Sequence, residues 1–273
     1  MRLTSEQLQF YADNGFLFLP NYFSSGEIAV IKDEIPPIFQ EETPRRVVEK
    51  NGDVRSVYGS HATNETLWQL SRHPKIVEPA MQIIDDEVYI YQFKINAKVA
   101  FSGDVWEWHQ DYVFWLKEDG MPAAHVVNAV IFLDEVNEFN GPLFLIPGSH
   151  KEGVIDVDAH DELNGNHDDR PWLSNLTASL RYSLHQSIVA RLVTKYGMAA
   201  PKGMPGSVLF FGGNMVHGSS NNISPFDRKL ILVTFNSVRN APPVTEKSRP
   251  GFLMSRDTEP VVALKPKWFS LAV

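Results

Sequence analysis

The segment Trp108-His109-Gln110-Asp111 is the feature that most constrains the fold of this chain. On a β-strand, side chains two positions apart point to the same face, so His109 and Asp111 can approach one point together. His217 follows 108 residues after His109 and is the expected third member, supplied by a second strand. Two imidazoles and one carboxylate form the facial ligand set of non-heme iron oxygenases, which leaves coordination positions open. The spacing therefore predicts a metal site on a β scaffold.

Other pairs of a histidine and an acid compete with this assignment, because the chain has nine histidines. Taken alone, such a pair is more often structural than catalytic, and His217 alone could be a core histidine. The competing segments are His167-Asp168-Asp169, His160-Asp161-Glu162 and His150-Lys151-Glu152. His167 lies in a polar run of turn residues, which predicts a solvated loop. His109 has five aromatic neighbours in sequence, among which a carboxylate is costly unless it is paired or bound to a metal.

Composition narrows the class of protein. The chain has 273 residues, of which 43% are hydrophobic, and this is ample for a large core. The net charge of −8 and the lack of a basic cluster argue against nucleic acid or an anionic membrane as the main partner. There are no cysteines, which excludes disulfides and thiolate chemistry. No segment has the pattern of a signal peptide or a membrane span, so we predict a cytoplasmic protein with a small-molecule partner.

Helix signals dominate the first part of the chain. Thr4 and Ser24 each begin a helix start pattern, and Gly15 and Pro36-Pro37 are the expected ends of these two helices. Phe16 to Leu19 reads as a short strand. Residues 40–64 are predicted to be irregular and mobile. A helical pattern over 65–84 is broken near Pro74 and Pro79, and a further short helix is expected within 180–196.

Short apolar strands dominate from residue 87 onward. The predicted strands are Val88 to Tyr91, Ile95 to Val99, Val126 to Leu133, Leu143 to Ile146, Ser207 to Phe211 and Leu230 to Phe235. Helices followed by many short strands indicate a mainly β fold, a double-sheet barrel with flanking helices. We predict one domain over residues 1–273, with a helical part at about 1–86, a core at about 87–240 and a tail at 241–273.

Several motifs together resemble those of a known superfamily. They are the segments 92–98, 108–122, 137–143, 146–151 and 205–207, and His217-Gly218-Ser219 through Arg228. In these segments the chain is similar to the phytanoyl-CoA dioxygenase superfamily of Fe(II)/2-oxoglutarate oxygenases, and within it to the ectoine-hydroxylase-like bacterial branch. The resemblance is dense from 88 to 240 and implies a double-stranded β-helix (jelly-roll, cupin-like) core.

The resemblance also implies roles for single residues. His109, Asp111 and His217 would be the iron ligands, and Arg228 would hold the distal carboxylate of 2-oxoglutarate with its planar fork. Arg228 could instead pair with Asp227 or another surface acid. Two asparagines are expected near the cosubstrate, and five further residues near the substrate. These residues are Asn96 and Asn128, and then Gln92, Val113, Phe114, Trp115 and Asn236.

Some of the substrate residues have simpler interpretations. Trp115 could equally be a residue of the hydrophobic core. Gln92 and Asn236 could serve only as hydrogen-bond partners of the strand backbone. Val113 and Phe114 depart from the ectoine-type pattern, which has polar residues there, so ectoine itself is disfavoured as substrate. The intact Asp111 favours oxygen insertion over halogenation, since halogenating relatives lack this carboxylate.

The function implied by the resemblance is hydroxylation of a small metabolite by Fe(II), 2-oxoglutarate and O₂, with release of succinate and CO₂. The expected substrate is a free amino acid, an amino-acid derivative or a natural-product intermediate. Desaturation, cyclisation or an acyl-CoA substrate are alternatives with the same cofactors. A cupin-type metal isomerase or hydrolase and a non-catalytic binding protein are alternatives from other classes. The oligomeric state does not follow from the sequence.

Overall fold

Two antiparallel sheets enclose a cavity at the centre of the fold. The structure is a computed structural model that describes residues 2–159, 172–173 and 176–264. The strands are β1 (Phe16–Leu19), β2 (Arg46–Val48), β3 (Val54–Tyr58), β4 (Val88–Lys98), β5 (Trp106–His109), β6 (Val126–Phe132), β7 (Leu143–Leu145), β8 (Val208–Gly212), β9 (His217–Ser219) and β10 (Arg228–Ser237). The large sheet has the order β1-β8-β6-β10-β4-β3-β2, and the small sheet has the order β5-β9-β7.

Helices flank this double sheet. They are α1 (Ser5–Asn14), α2 (Ser25–Asp33), α3 (Ile35–Gln40), α4 (Glu65–Ser71), α5 (Pro74–Ile84), α6 (Asp111–Asp119) and α7 (Gln186–Tyr196). The predicted starts of α1 and α2 are confirmed, because Thr4 and Ser24 both form complete capping boxes. Gly15 ends α1 with a φ of 77°, which glycine adopts without strain. Within the described ranges, no helix combines the length and the apolar character needed to cross a bilayer.

The alternation of side chains along β4 separates the hydrophobic core from the cavity. Phe93 and Ile95 are fully buried in the main core cluster, which also holds apolar residues of α2, α4 and α5. Gln92, Lys94 and Asn96 point the other way and line the cavity. The sequence predicted two strands here, but β4 is one strand of 11 residues, because both of its edges find partners in β3 and β10.

The prediction for residues 40–64 is wrong. This polar segment contains β2 and β3, which form a hairpin at the edge of the large sheet. Val57 of β3 lies opposite Ile95 of β4 and is fully buried. Pairing with β4 satisfies the backbone and covers the few apolar side chains, so tertiary contact outweighs the local polar composition.

Two of the proline predictions are also wrong. Pro36 and Pro37 were expected to end α2, but they lie in the first turn of the next helix, α3. The N–H that proline lacks makes no hydrogen bond within a helix at this place. Pro79 lies inside α5 without ending it. Pro74 starts α5, so the predicted break near this residue is confirmed. The amphipathic face of α5 packs on the sheet and so maintains the helix past Pro79.

Candidate metal centre

His109, Asp111 and His217 converge at the small sheet. His109 is the last residue of β5, His217 is the first residue of β9, and the two are paired across the ladder. Asp111 is the first residue of α6, so the prediction that His109 and Asp111 share a strand face is wrong. The side chain of Gln110 stabilises the turn of the chain between β5 and α6, because its Nε2 donates to the carbonyls of Gly153 (2.8 Å) and Asn214 (2.6 Å).

The three side chains surround one small space. Nε2 of His109 lies 3.6 Å from Oδ1 of Asp111, and Nε2 of His217 lies 3.9 Å from Oδ2. One candidate ligand atom from each residue lies within 4.8 Å of the others, and all three residues are buried. Among the described residues, this is the group of histidines and carboxylates that can hold a metal ion.

Backbone carbonyls orient both imidazoles. Nδ1 of His109 lies 2.6 Å from the carbonyl oxygen of Glu107, and Nδ1 of His217 lies 3.0 Å from that of Met215. A neutral imidazole that donates from Nδ1 has its lone pair on Nε2, the nitrogen that faces Asp111. Such hydrogen bonds fix the tautomer and the ring orientation of histidines that bind metals.

The charge states of Asp111 and His217 suit a divalent cation. Burial alone would raise the pKa of Asp111, but the charge of Lys94 and the interactions with the two histidines outweigh burial and hold that pKa below its ordinary value. Burial, together with the charge of His109, lowers the pKa of His217 to about 3. An ionised carboxylate beside a neutral imidazole is what metal binding requires.

Arg228 lies in the wall of the same cavity, and its buried guanidinium lacks a hydrogen-bond partner at one nitrogen among the described residues. It is only 2% exposed, and its buried Nε has no hydrogen-bond partner among the described residues. Burial lowers the pKa of the guanidinium to about 9. The alternative partner, Asp227, pairs with Lys229 at 2.7 Å. A buried, unpaired guanidinium is costly by itself and fits a carboxylate ligand. Asn96 adds a second unsatisfied group, its Oδ1 atom, to this cavity.

Comparison with known proteins agrees with this site. The family model described as phytanoyl-CoA dioxygenase (PhyH) matches residues 11–230. The chain belongs to the phytanoyl-CoA dioxygenase family. It is similar to L-proline trans-4-hydroxylase of Streptomyces griseoviridis, with 39% identity over 253 residues, which are 92% of this chain and 92% of that protein. An ectoine dioxygenase of Bordetella bronchiseptica is 33% identical over 245 residues, 87% of this chain and 77% of that protein.

Solved structures agree as well. The crystal structure of EctD from S. alaskensis with 2-oxoglutarate and 5-hydroxyectoine has a TM-score of 0.81 and 28% identity, over 96% of this chain and 87% of that one. These matches confirm the predicted jelly-roll fold, the ectoine-hydroxylase-like branch, and the enzyme class with its cofactors, an Fe(II)/2-oxoglutarate-dependent dioxygenase.

Asn128 of this family member lies behind the triad and not in the cavity. It is fully buried, and its Nδ2 donates to Oδ2 of Asp111 at 2.8 Å. Its own Oδ1 accepts a 2.6 Å hydrogen bond from Thr234, which fixes the orientation of the amide. The expected cosubstrate contact of Asn128 stays a prediction, and the contacts that the structure shows are those of a support for Asp111.

The predicted substrate residues divide into two groups. Gln92, Phe114 and Trp115 line the cavity beside the triad. Val113 does not line it, because it points into the aromatic cluster around α6. Asn236 is also outside, since its Nδ2 donates to the Tyr89 hydroxyl and to the carbonyl of Asn240. The expected substrate contacts of Val113 and Asn236 stay predictions without support from their positions, which are those of packing and backbone-supporting residues.

Some cavity residues were missed by the sequence analysis. Lys94 lies between Gln92 and Asn96 on β4, and the period of two along a strand would have identified it. Arg249 lines the cavity from the segment after β10, and no local pattern marks it. His150 contacts the carbonyl of Ala12 and lies away from the triad. The competing segments 160–162 and 167–169 lie outside the described residues.

Proposed function

We propose that this dioxygenase hydroxylates a small free amino acid, with L-proline as the first candidate. In this proposal His109, Asp111 and His217 hold Fe(II), and Arg228 with Asn96 holds 2-oxoglutarate. The observation that carries the proposal is the meeting, in one cavity, of a correctly oriented triad and a buried guanidinium whose Nε has no partner among the described residues. We also propose, from the sequence, a single dioxygenase domain and a cytoplasmic location.

Different residues would hold the metal, bind the cosubstrate and exclude water. Bound iron and 2-oxoglutarate would supply the oxidising power needed to attack a C–H bond. The two histidines and Asp111 would hold the metal, and a ligand set of this kind leaves coordination positions open for other ligands. Arg228 would hold the remote carboxylate of the cosubstrate, because its planar guanidinium matches a carboxylate. Phe114, which contacts His109 edge-to-face at 5.8 Å, shields the site from water.

The choice of substrate follows from the relatives and from the cavity. The similar enzymes are named for proline and for ectoine. Both compounds are small rings with one carboxylate. Phe114 and Trp115 offer an apolar surface for a ring, and Gln92 offers an amide. The chain has no basic run to bind the phosphates of coenzyme A. L-Proline agrees with all of these features.

The first test is anaerobic titration of the Fe(II)-loaded protein with 2-oxoglutarate, followed by visible absorption. We expect the weak metal-to-ligand band of chelated 2-oxoglutarate in the wild type. A metal isomerase or a binding protein would not produce it, and its absence would refute the cofactor assignment. The second test is release of succinate with L-proline and with a panel of other amino acids, with the product identified by NMR. A panel that stimulates no succinate release would refute the substrate class.

A further inference from the structure

Lys98 is a buried lysine that lies directly opposite Arg228. The two residues are paired in the antiparallel ladder of β4 and β10, so their side chains leave the sheet on the same face. Lys98 is 1% exposed and Arg228 is 2% exposed. Like charges in directly opposite positions of a ladder repel each other, and the low dielectric of a buried site strengthens the repulsion. The proposed iron and cosubstrate sites give Lys98 no role.

Two glycines confine the side chain of Lys98. A Cβ atom added at Gly103 would lie 2.5 Å from Cα and Cβ of Lys98, and one added at Gly141 would lie 2.6 Å from its Cδ. The Nζ atom donates to the backbone carbonyl of Asp104 and forms no ion pair with a described residue. Lysines usually extend their amine into solvent, but the close packing around this side chain keeps its amine inside the protein.

Two arginines and two acids act on Lys98 through their charges. They are Arg228 on β10, Arg55 on β3, Glu49 just before β3 and Asp104 just before β5. Glu49 already pairs with Arg55 at 2.7 Å. Burial, together with the charges of Arg228 and Arg55, lowers the pKa of Lys98 to about 6, and the two acids offset this only in part. The amine is therefore mostly uncharged at neutral pH.

A carboxylate bound to Arg228 would change this balance. Of the two paired residues, Arg228 lines the cavity and Lys98 does not, so a ligand in the cavity acts on Lys98 through its charge and not by contact. The negative charge would offset the repulsion between the guanidinium and the amine. An opposite charge close to an amine favours its protonated form, so the bound ligand would raise the pKa of Lys98.

We propose that Lys98 is an uncharged amine in the free protein and takes up a proton from solvent when 2-oxoglutarate binds to Arg228. This inference rests on the proposed function and extends it to the dependence of cosubstrate binding on pH. The complex holds one more proton than the free protein. A rise in pH above the pKa of free Lys98 should therefore weaken 2-oxoglutarate binding, by up to roughly tenfold per pH unit.

The first test is calorimetric titration of 2-oxoglutarate into protein loaded with a redox-inert divalent metal. The titration is repeated at neutral pH in buffers of different ionisation enthalpy, and the dependence of the observed enthalpy on the buffer gives the number of protons taken up. We expect uptake of about one proton by the wild type and none by Lys98→Met. The affinity of the variant should also depend much less on pH than that of the wild type.

Two further variants complete this test. Lys98→Gln keeps a side-chain donor for the carbonyl of Asp104 but does not titrate, so it should behave like Lys98→Met. Lys151→Met is the matched control, because the Lys151 side chain is 51% exposed and lies 3.8 Å from Asp13 at the surface, and it should retain the uptake. Proton uptake by a hydroxide on the metal would be equal in all four proteins and would leave no difference between them.

The second test needs no ligand. Lysine side chains labelled with ¹³C are followed by NMR in the free protein as the pH is changed. One resonance should titrate near pH 6 and should be missing from Lys98→Met. Exposed lysines should stay charged through neutral pH, because the ordinary pKa of a lysine is ~10.4.

Three results would overturn the inference. They are a Lys98 resonance that stays that of an ammonium ion at pH 8 in the free protein, a wild type that binds 2-oxoglutarate without taking up a proton, and an uptake that is the same in the wild type and in Lys98→Met. Failure of the proposed function has a different signature, since 2-oxoglutarate would then not bind to the wild type and the visible band would be absent.

Discussion

Asn128 donates a 2.8 Å hydrogen bond to Oδ2 of Asp111, the same oxygen that lies nearest to His217. One carboxylate oxygen is therefore held by the large sheet while the other faces His109. Thr234 holds Asn128 in turn, so the amide cannot rotate without losing a buried hydrogen bond. The geometry of the triad thus depends on a strand that contributes none of its three members.

Replacement of Asn128 should weaken iron binding. We expect Asn128→Ala to raise the Fe(II) concentration needed for half-maximal activity by about ten- to a hundredfold, as is usual for the outer partners of metal ligands. Thr234→Val should have a smaller effect in the same direction, because the amide stays but loses its orientation. Activity measured against Fe(II) concentration checks both. An unchanged iron requirement with a raised KM for 2-oxoglutarate would restore the cosubstrate role for Asn128.

Removal of the Asp111 carboxylate should abolish turnover without unfolding the protein. Asp111→Ala removes one of three proposed ligands, so the loss should exceed the roughly hundredfold effect of an outer partner. The control is Asp156→Ala, since Asp156 is exposed and pairs only with Lys117 at 2.8 Å among the described residues. Succinate release and circular dichroism measure the two properties. A variant that retains wild-type turnover would exclude Asp111 as a ligand.

Arg228→Lys should act mainly on 2-oxoglutarate. The charge remains but the planar fork is lost, and a charge-assisted hydrogen bond contributes ~1.5–3 kcal/mol, so the KM for 2-oxoglutarate should rise roughly ten- to a hundredfold. Turnover at saturating 2-oxoglutarate should fall less, because the lost contact is remote from the reacting atoms. Arg239→Lys is the matched comparison, since Arg239 pairs with Asp86 at the surface, and it should change neither KM. An unchanged KM for 2-oxoglutarate with a raised KM for the amino acid would instead assign Arg228 to the substrate.

The stability of the fold should decrease in mild acid, in part through His61. This ring stacks on Phe93 at 5.0 Å, and burial, together with the charges of Arg72 and Arg45, lowers the pKa of His61 from 6.5 to about 4. Between these two values the unfolded chain takes up a proton that the folded protein does not. The free energy of unfolding should therefore fall as the pH drops from 6.5 towards 4, by on the order of 2–3 kcal/mol from this residue.

Urea unfolding of the wild type and of His61→Asn at pH 7 and pH 4.5 measures this contribution. The difference in unfolding free energy between the two proteins should depend on pH in this range and should be nearly constant above about pH 8, where a histidine with an ordinary pKa of about 6.5 is almost wholly neutral in both states. An equal loss in both proteins on acidification would show that other groups account for it.

Local sequence patterns were sufficient for the elements that depend on short-range interactions. The capping boxes at Thr4 and Ser24, the left-handed Gly15 and the apolar strand at 126–132 all follow from residues within a few positions of each other. The aromatic setting of His109 and Asp111 also distinguished this pair from the other histidine–acid pairs. Recognition of the family favoured His217 as a ligand over a core histidine and gave Arg228 its role, and no local period connects either residue to the motif.

Long-range contacts decided the rest. The hairpin at 46–58 exists because β4 offers it an edge, and Asp111 starts a helix because Gln110 reaches two distant carbonyls. Arg249 lines the cavity although it lies 138 positions after Asp111 in the sequence, on a segment with no regular secondary structure. Sequence alone determined which chemical groups the chain has and which short elements they favour. Only the tertiary structure decided which of these groups share a buried space. Charges interact strongly in such a space because its dielectric is low, and separation along the sequence does not show which charges are partners.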